Sequence, residues 1–369
     1  MSEYEDEIES LEDKFYETES DHERTAVLEE IIRKTDAAGD IHGGFNYRME
    51  LIQHATFSGS QDRALVAFSW CLAQVDKNPD DFELDQILWR YKWIVSNLHA
   101  YPQMPREKIN ALQGDMERRF TEAGLSLRPL HGIRFIDCLL MGDESTADEQ
   151  FELWKKSKRD FMADCQACEQ NRLVEYYTIK EDDESAFKEA EILFDGKLTC
   201  AEVPQLTVAY MVQCYLRMGQ IEKVESLQKR WYRRVKNNEE FLEVVAHLLL
   251  YVGLKGDSPA ATSMVEAHTP WIMRTPNQNR RMTFSLAAWL TLKELAKENA
   301  EIKLRMPQEA PCFRSDSTYA TEELANWFHH DATDLAARFD KRNGNDYVSQ
   351  SLAKKQKLFE SFSQGPGPC

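Results

Sequence analysis

Residues 164–236, DCQACEQNRLVEYYTIKEDDESAFKEAEILFDGKLTCAEVPQLTVAYMVQCYLRMGQIEKVESLQKRWYRRVK, contain one plan twice. Val174, Tyr176 and Tyr177 supply a first helix, the polar run Glu181-Asp182-Asp183-Glu184 breaks it, and Ala186, Ala190 and Leu193 continue on a return helix. Tyr215 precedes the second break, Arg217-Met218-Gly219, after which Ile221, Val224 and Trp231 carry the apolar face. Apolar residues at helical spacing mark one buried face, and a short hairpin can bury that face only against its neighbours. The stretch therefore predicts an all-α chain of stacked helical hairpins.

The same offsets recur on both sides of it. Gly59 is followed by Ala64, Phe68 and Cys71, and Gly142 by Ala147 and Phe151 after an approach through Phe135 and Cys138. Glu181 with Ala186 and Gly256 with Ala261 keep the alanine offset. A small side chain is needed where two helices touch and a bulky one fills the space behind it. The turn positions 142, 181, 219 and 256 are 39, 38 and 37 residues apart, close to the tetratricopeptide period of about 34. Between Gly59 and Gly142 there is room for one more pair, Phe82 to Leu98 and Glu107 to Ala123, which brings the array to about six.

Together with Asp164-Cys165-Gln166-Ala167-Cys168, Val174-Glu175-Tyr176-Tyr177, the Leu198 to Pro204 loop and the helix around Trp89-Arg90-Tyr91-Lys92-Trp93, this pattern resembles bacterial tetratricopeptide-like (TPR-like) proteins of uncharacterised activity. The resemblance implies a right-handed α-solenoid that serves as a protein-binding scaffold, and it carries over no catalytic residue. Val224 and Gln228 depart from the repeat consensus, which has Ala and an aromatic there.

Four regions follow. Residues 1–38 form an acidic helical cap with Tyr4, Ile8, Leu11 and Phe15 on one stripe; residues 39–301 form the array. Residues 302–341 hold a loop and a capping helix whose N-cap is Thr321, and residues 342–369 a short helix and a disordered tail. Gly39-Asp40-Ile41-His42-Gly43 spells the GDxHG signature of calcineurin-like metallophosphoesterases. Those enzymes carry it at the end of a strand, with further ligands downstream; the polar residues before Gly39 offer no strand, so the glycines are read as a helix-breaking turn. His330 and Asp334 share a helix face, but two ligands do not make a metal site.

A net charge of -18 and a pI near 5.0 argue against nucleic acid or an anionic membrane as partner. An acidic N-terminal stretch and the want of any long apolar run suggest a cytoplasmic protein. Phosphate loops, GxSxG, HExxH and dinucleotide fingerprints are not found, so no enzyme is expected. The expected activity is capture of a protein or peptide on a concave helical surface, with Trp89, Arg90 and Trp93 as one contact group and Arg230, Trp231 and Arg234 as another. The second group sits in a basic run of Lys229, Arg233, Lys236 and Tyr232, followed later by Arg274, Arg280 and Arg281, and suits an acidic segment. No cofactor is expected. The alternative is a zinc-binding or redox-responsive protein: Cys165, Cys168 and Cys200 can converge if their loop folds back on the first helix, although the pattern lacks a fourth ligand beyond Cys214 or His247.

Overall fold

The computed structural model describes residues 3–19, 21–57 and 60–363, and the chain is mostly α-helical, with helices packed mainly against sequence neighbours. The Gly59 turn and the tail from Gln364 lie outside the described residues. Two compact units divide the chain.

The first unit comprises Met1–Leu98, Glu107–Ile133 and Ser157–Met162. Its helices are α1 (Glu3–Glu17), α2 (Asp21–Ala38), α3 (Ile41–Phe57), α4 (Gln61–Lys77), α5 (Leu84–Ser96), α6 (Arg106–Glu122) and the start of α7 (Arg128–Leu140). Ile8, Val27 and Ile31 bury one face of α1 against α2, with Tyr4, Leu11 and Phe15 around them. Ala64, Phe68 and Cys71 on α4 are fully enclosed, as the repeat spacing requires. Tyr91 on α5 is buried as well, its hydroxyl donating to Asp115 at 2.8 Å. Leu84 is exposed, because α5 begins there and Phe82 takes the apolar position, stacked on Phe45 at 4.3 Å.

The GDxHG stretch needs a correction. Only Gly39 breaks the helix, at φ 70°, while Gly43 and Gly44 lie within the first turn of α3. Asp40 caps that helix: its Oδ1 accepts from the Gly43 amide at 2.8 Å and its Oδ2 from the Tyr4 hydroxyl at 2.9 Å. A Cβ on Gly43 would stand 2.2 Å from Asp40 Oδ2, so the cap itself requires glycine there. Asp40→Ala should lower the first unit's stability by about 1 kcal/mol in denaturant titration. It should also let the Tyr4 hydroxyl, raised to about 12 by burial and the Asp40 carboxylate, fall toward its usual value near 10 in an ultraviolet titration.

The second unit comprises His99–Arg106, Arg134–Lys156 and Ala163–Cys369. After the end of α7 come α8 (Glu144–Lys156), α9 (Gln166–Ile179), α10 (Asp183–Phe194), α11 (Thr207–Arg217) and α12 (Ile221–Val235). Then follow α13 (Leu242–Leu254), α14 (Ser258–Arg274), α15 (Gln278–Leu295), α16 (Thr321–Asn343) and α17 (Tyr347–Ser363). Turns at Gly142, Glu181, Gly219 and Gly256 all have positive φ, and the alanines after them, Ala147, Ala186 and Ala261, are fully buried. Helices α9, α11, α13 and α15 also touch in series, so the first helix of each hairpin packs on the first helix of the next.

Beyond α15 the sequence reading is corrected twice. The last helix of the expected array, α15, ends at Leu295, and where a loop was expected an antiparallel hairpin of β1 (Glu301–Lys303) and β2 (Thr318–Ala320) pairs Ile302 with Tyr319, both buried. Thr321 is no N-cap: it is the first residue of α16, and its hydroxyl donates to the Asn299 carbonyl at 2.5 Å, fastening α16 to the end of α15. Gly344, at φ 74°, stops α16, and the Asp340 carboxylate accepts the amides of Val348 and Ser349 at 2.8 and 3.1 Å, which caps α17. That last helix buries Val348, Leu352 and Phe359 in the main core, and Asn345 beside it reaches back to the Met141 carbonyl at 2.8 Å.

Candidate functional site

On α12, Val224, Trp231 and Val235 form the buried stripe, and the opposite side exposes Lys223, Lys229, Arg230, Arg233, Arg234 and Lys236. Lys229 pairs with Glu225 at 2.5 Å. Arg230 and Arg234, four residues apart, place their guanidinium carbons 5.2 and 4.8 Å from the centre of the Trp231 ring. Neither they nor Arg233 and Lys236 meet a carboxylate among the described residues. Trp231 itself is only 2% exposed, so it supports the two arginines from beneath and offers a partner little surface of its own. The later arginines do not extend this face: Arg274 is paired with Glu239, Arg280 with Glu240 at 2.9 Å and Arg281 with Asp331 at 2.5 Å.

Trp89, Arg90 and Trp93 on α5 are half-buried. Arg90 donates to the carbonyls of Met49 and Gln86 at 3.0 and 3.4 Å, with its guanidinium 5.9 Å from the Trp93 ring. Lys92 is buried, donates to the Met162 carbonyl at 2.6 Å and holds its ammonium 3.5 Å from the Trp89 ring. The cations of this group are therefore already engaged within the first unit.

The central cysteines do converge. Cys165 caps α9, accepting the Cys168 amide on its Sγ at 3.3 Å, and the loop after α10 brings Cys200 Sγ to 3.6 Å from Cys168 Sγ. All three sulfurs lie within 4.8 Å of one another, and among the described residues no other three His, Cys, Asp or Glu side chains cluster as closely. Cys165 is exposed and the other two half-buried. Burial, then the neighbouring thiols, pushes the Cys168 thiol well up. Cys214 and His247 do not join: Cys214 is buried against the Thr178 hydroxyl at 3.5 Å, and His247 Nδ1 lies 2.8 Å from the Glu243 carbonyl oxygen.

A further group escaped the sequence reading. Glu175 on α9, Tyr210 on α11, Glu243 and His247 on α13 and Lys355 on α17 interact electrostatically inside the second unit. Burial and the Glu243 carboxylate raise Glu175 to about 7, although it keeps some contact with solvent. Burial also lowers Lys355 and His247, and the Tyr210 hydroxyl is raised by burial and by Glu175. This group can take up or release a proton near neutrality. Its sequence signal was ionisable residues on the successive first helices α9, α11 and α13, with nothing to point to Lys355 on α17.

Compared with known protein families, with curated proteins and with solved structures, the chain matches none. No helix among the described residues is long and apolar enough to cross a membrane.

Proposed function

We propose that the chain is a TPR-like helical scaffold that captures an acidic protein segment on the exposed cationic face of α12. One observation carries this reading. On a chain of net charge -18, four exposed cations, Arg230, Arg233, Arg234 and Lys236, gather without a carboxylate partner among the described residues, while Arg274, Arg280 and Arg281 are all paired. Guanidinium groups held beside an indole lose little freedom on binding carboxylates or phosphates, to which they can bind in a bidentate manner. The series of contacts among α9, α11, α13 and α15 supports a solenoid stack, in which outer helices such as α12, and not the concave side, remain available to partners. Trp89, Arg90 and Trp93 are a second proposed contact, weaker because Arg90 is already hydrogen-bonded.

A fluorescent poly-glutamate peptide should bind the full chain, with an affinity that falls as salt is raised. Arg230→Glu with Arg234→Glu should weaken it at least about tenfold. Equal binding by that variant, or preference for a duplex DNA probe over the peptide, would reject the assignment.

A further inference from the structure

We infer that Cys165, Cys168 and Cys200 form a binding site for a thiophilic divalent cation of the zinc class, held by three thiolates with its fourth coordination position open to solvent. The inference is independent of the α12 surface.

The donor set fits such an ion in three respects. With metal–sulfur bonds of about 2.3 Å, tetrahedral coordination sets its sulfurs about 3.8 Å apart. The Cys168 to Cys200 separation is 3.6 Å, and all three sulfurs fall within 4.8 Å, so closure needs shifts of about an ångström at most. Secondly, the site is built on anchored backbone. Cys165 is the N-cap and Cys168 lies in the first turn of α9, whose Ala167 and Val174 belong to a buried core, and the Cys200 amide donates to the carbonyl of Val203 from that same core at 3.0 Å. Thirdly, the Cys168 amide already donates to Cys165 Sγ, and the N-terminal end of a helix favours negative charge.

A disulfide would be a poorer account of the same residues. It joins two sulfurs at about 2.05 Å and leaves the third thiol unused. Three converging sulfurs answer to a cation. Because Cys165 is exposed and no fourth ligand among the described residues lies in the cluster, water or an external ligand completes the coordination. On binding, three S–H bonds give way to three metal–sulfur bonds and the protons pass to solvent, so uptake strengthens as pH rises.

The test uses the reduced, metal-free full chain titrated with zinc and with cadmium. Expected are one ion per chain, a cadmium–thiolate charge-transfer band, and proton release that calorimetry in buffers of different ionisation enthalpy reports as close to three. Cys165→Ser and Cys200→Ser should each lose at least about a hundredfold in affinity, and Cys214→Ser, outside the cluster, should lose nothing. Should Cys200→Ser fail to fold, the exposed position of Cys165 leaves its variant to decide. A folded, reduced chain that takes up neither metal overturns the inference, as does uptake unchanged in the Cys165→Ser variant.

Discussion

Gly253→Val is expected to destabilise the second unit by about 2 to 3 kcal/mol, read as a lowered urea midpoint. Gly253 lies inside α13 with an ordinary helical backbone, where glycine costs about 1 kcal/mol relative to alanine. Packing is what demands it. A Cβ there would stand 2.7 Å from Thr291 Oγ1 and 3.0 Å from Thr291 Cα on α15, and the second of these is backbone that cannot rotate away. The Thr291 hydroxyl is itself engaged, donating to the Leu249 carbonyl at 3.2 Å. Gly253→Ala should therefore also destabilise, against its better helix propensity. An alanine variant more stable than the parent would mean that α13 and α15 do not approach this closely.

Acidification should remove about 2 kcal/mol of stability between pH 6.5 and 4.5 through His268 alone. Its ring is fully buried, 4.3 Å from that of Trp271, with Nε2 3.2 Å from the Tyr232 hydroxyl and no partner for Nδ1. Burial, reinforced by Lys236, lowers it from 6.5 to about 4. Protons therefore bind the unfolded chain first, so this stability is present above pH 6.5 and is lost as pH falls toward 4. Glu175 acts in the opposite sense. Raised to about 7, it favours the folded state while protonated and withdraws that contribution as pH climbs through 7. The diagnostic comparison is His268→Gln, which can still hydrogen-bond to Tyr232 but does not titrate. The difference between its pH–stability curve and the parent's should span about 2 kcal/mol over that interval; parallel curves would show that the folded chain tolerates a charged ring.

What could be read from the sequence was whatever repeats. Gly142, Gly219 and Gly256 announced turns because only a positive φ ends those helices cheaply, and Ala147 and Ala261, five residues after the first and third of them, announced close crossings. Glu181 was legible by its place in the series, although it enters the left-handed region without being glycine. Features used once were not legible. Strands of three residues are too short to show an alternating pattern, so β1 and β2 passed for loop. Gly253 resembles any helical glycine until Thr291 is brought against it. Arg274, Arg280 and Arg281 looked like part of a basic patch because their carboxylates lie 35 to 50 residues away in sequence. Trp231 shows both sides of the difficulty: its spacing marked the apolar stripe, while its residue type suggested a contact, and burial decided for the stripe. The three cysteines stood out as local text, but only the fold of the loop after α10 could bring Cys200 to the other two.

The return of the turn between α16 and α17 to Met141 has a bearing on cooperativity. Asn345 bonds to a carbonyl 204 residues earlier, and Arg342 donates to the carbonyl of His99 at 3.0 Å across 243 residues. In an open stack, each module leans only on its neighbours, so the outermost can peel away while the middle stays ordered. Here the end of α16 and the turn that follows it hold carbonyls of His99 and Met141, so these late and early segments of the unit cannot loosen independently. The second unit should thus melt as a single body, in the manner of a clasped belt more than of a zip.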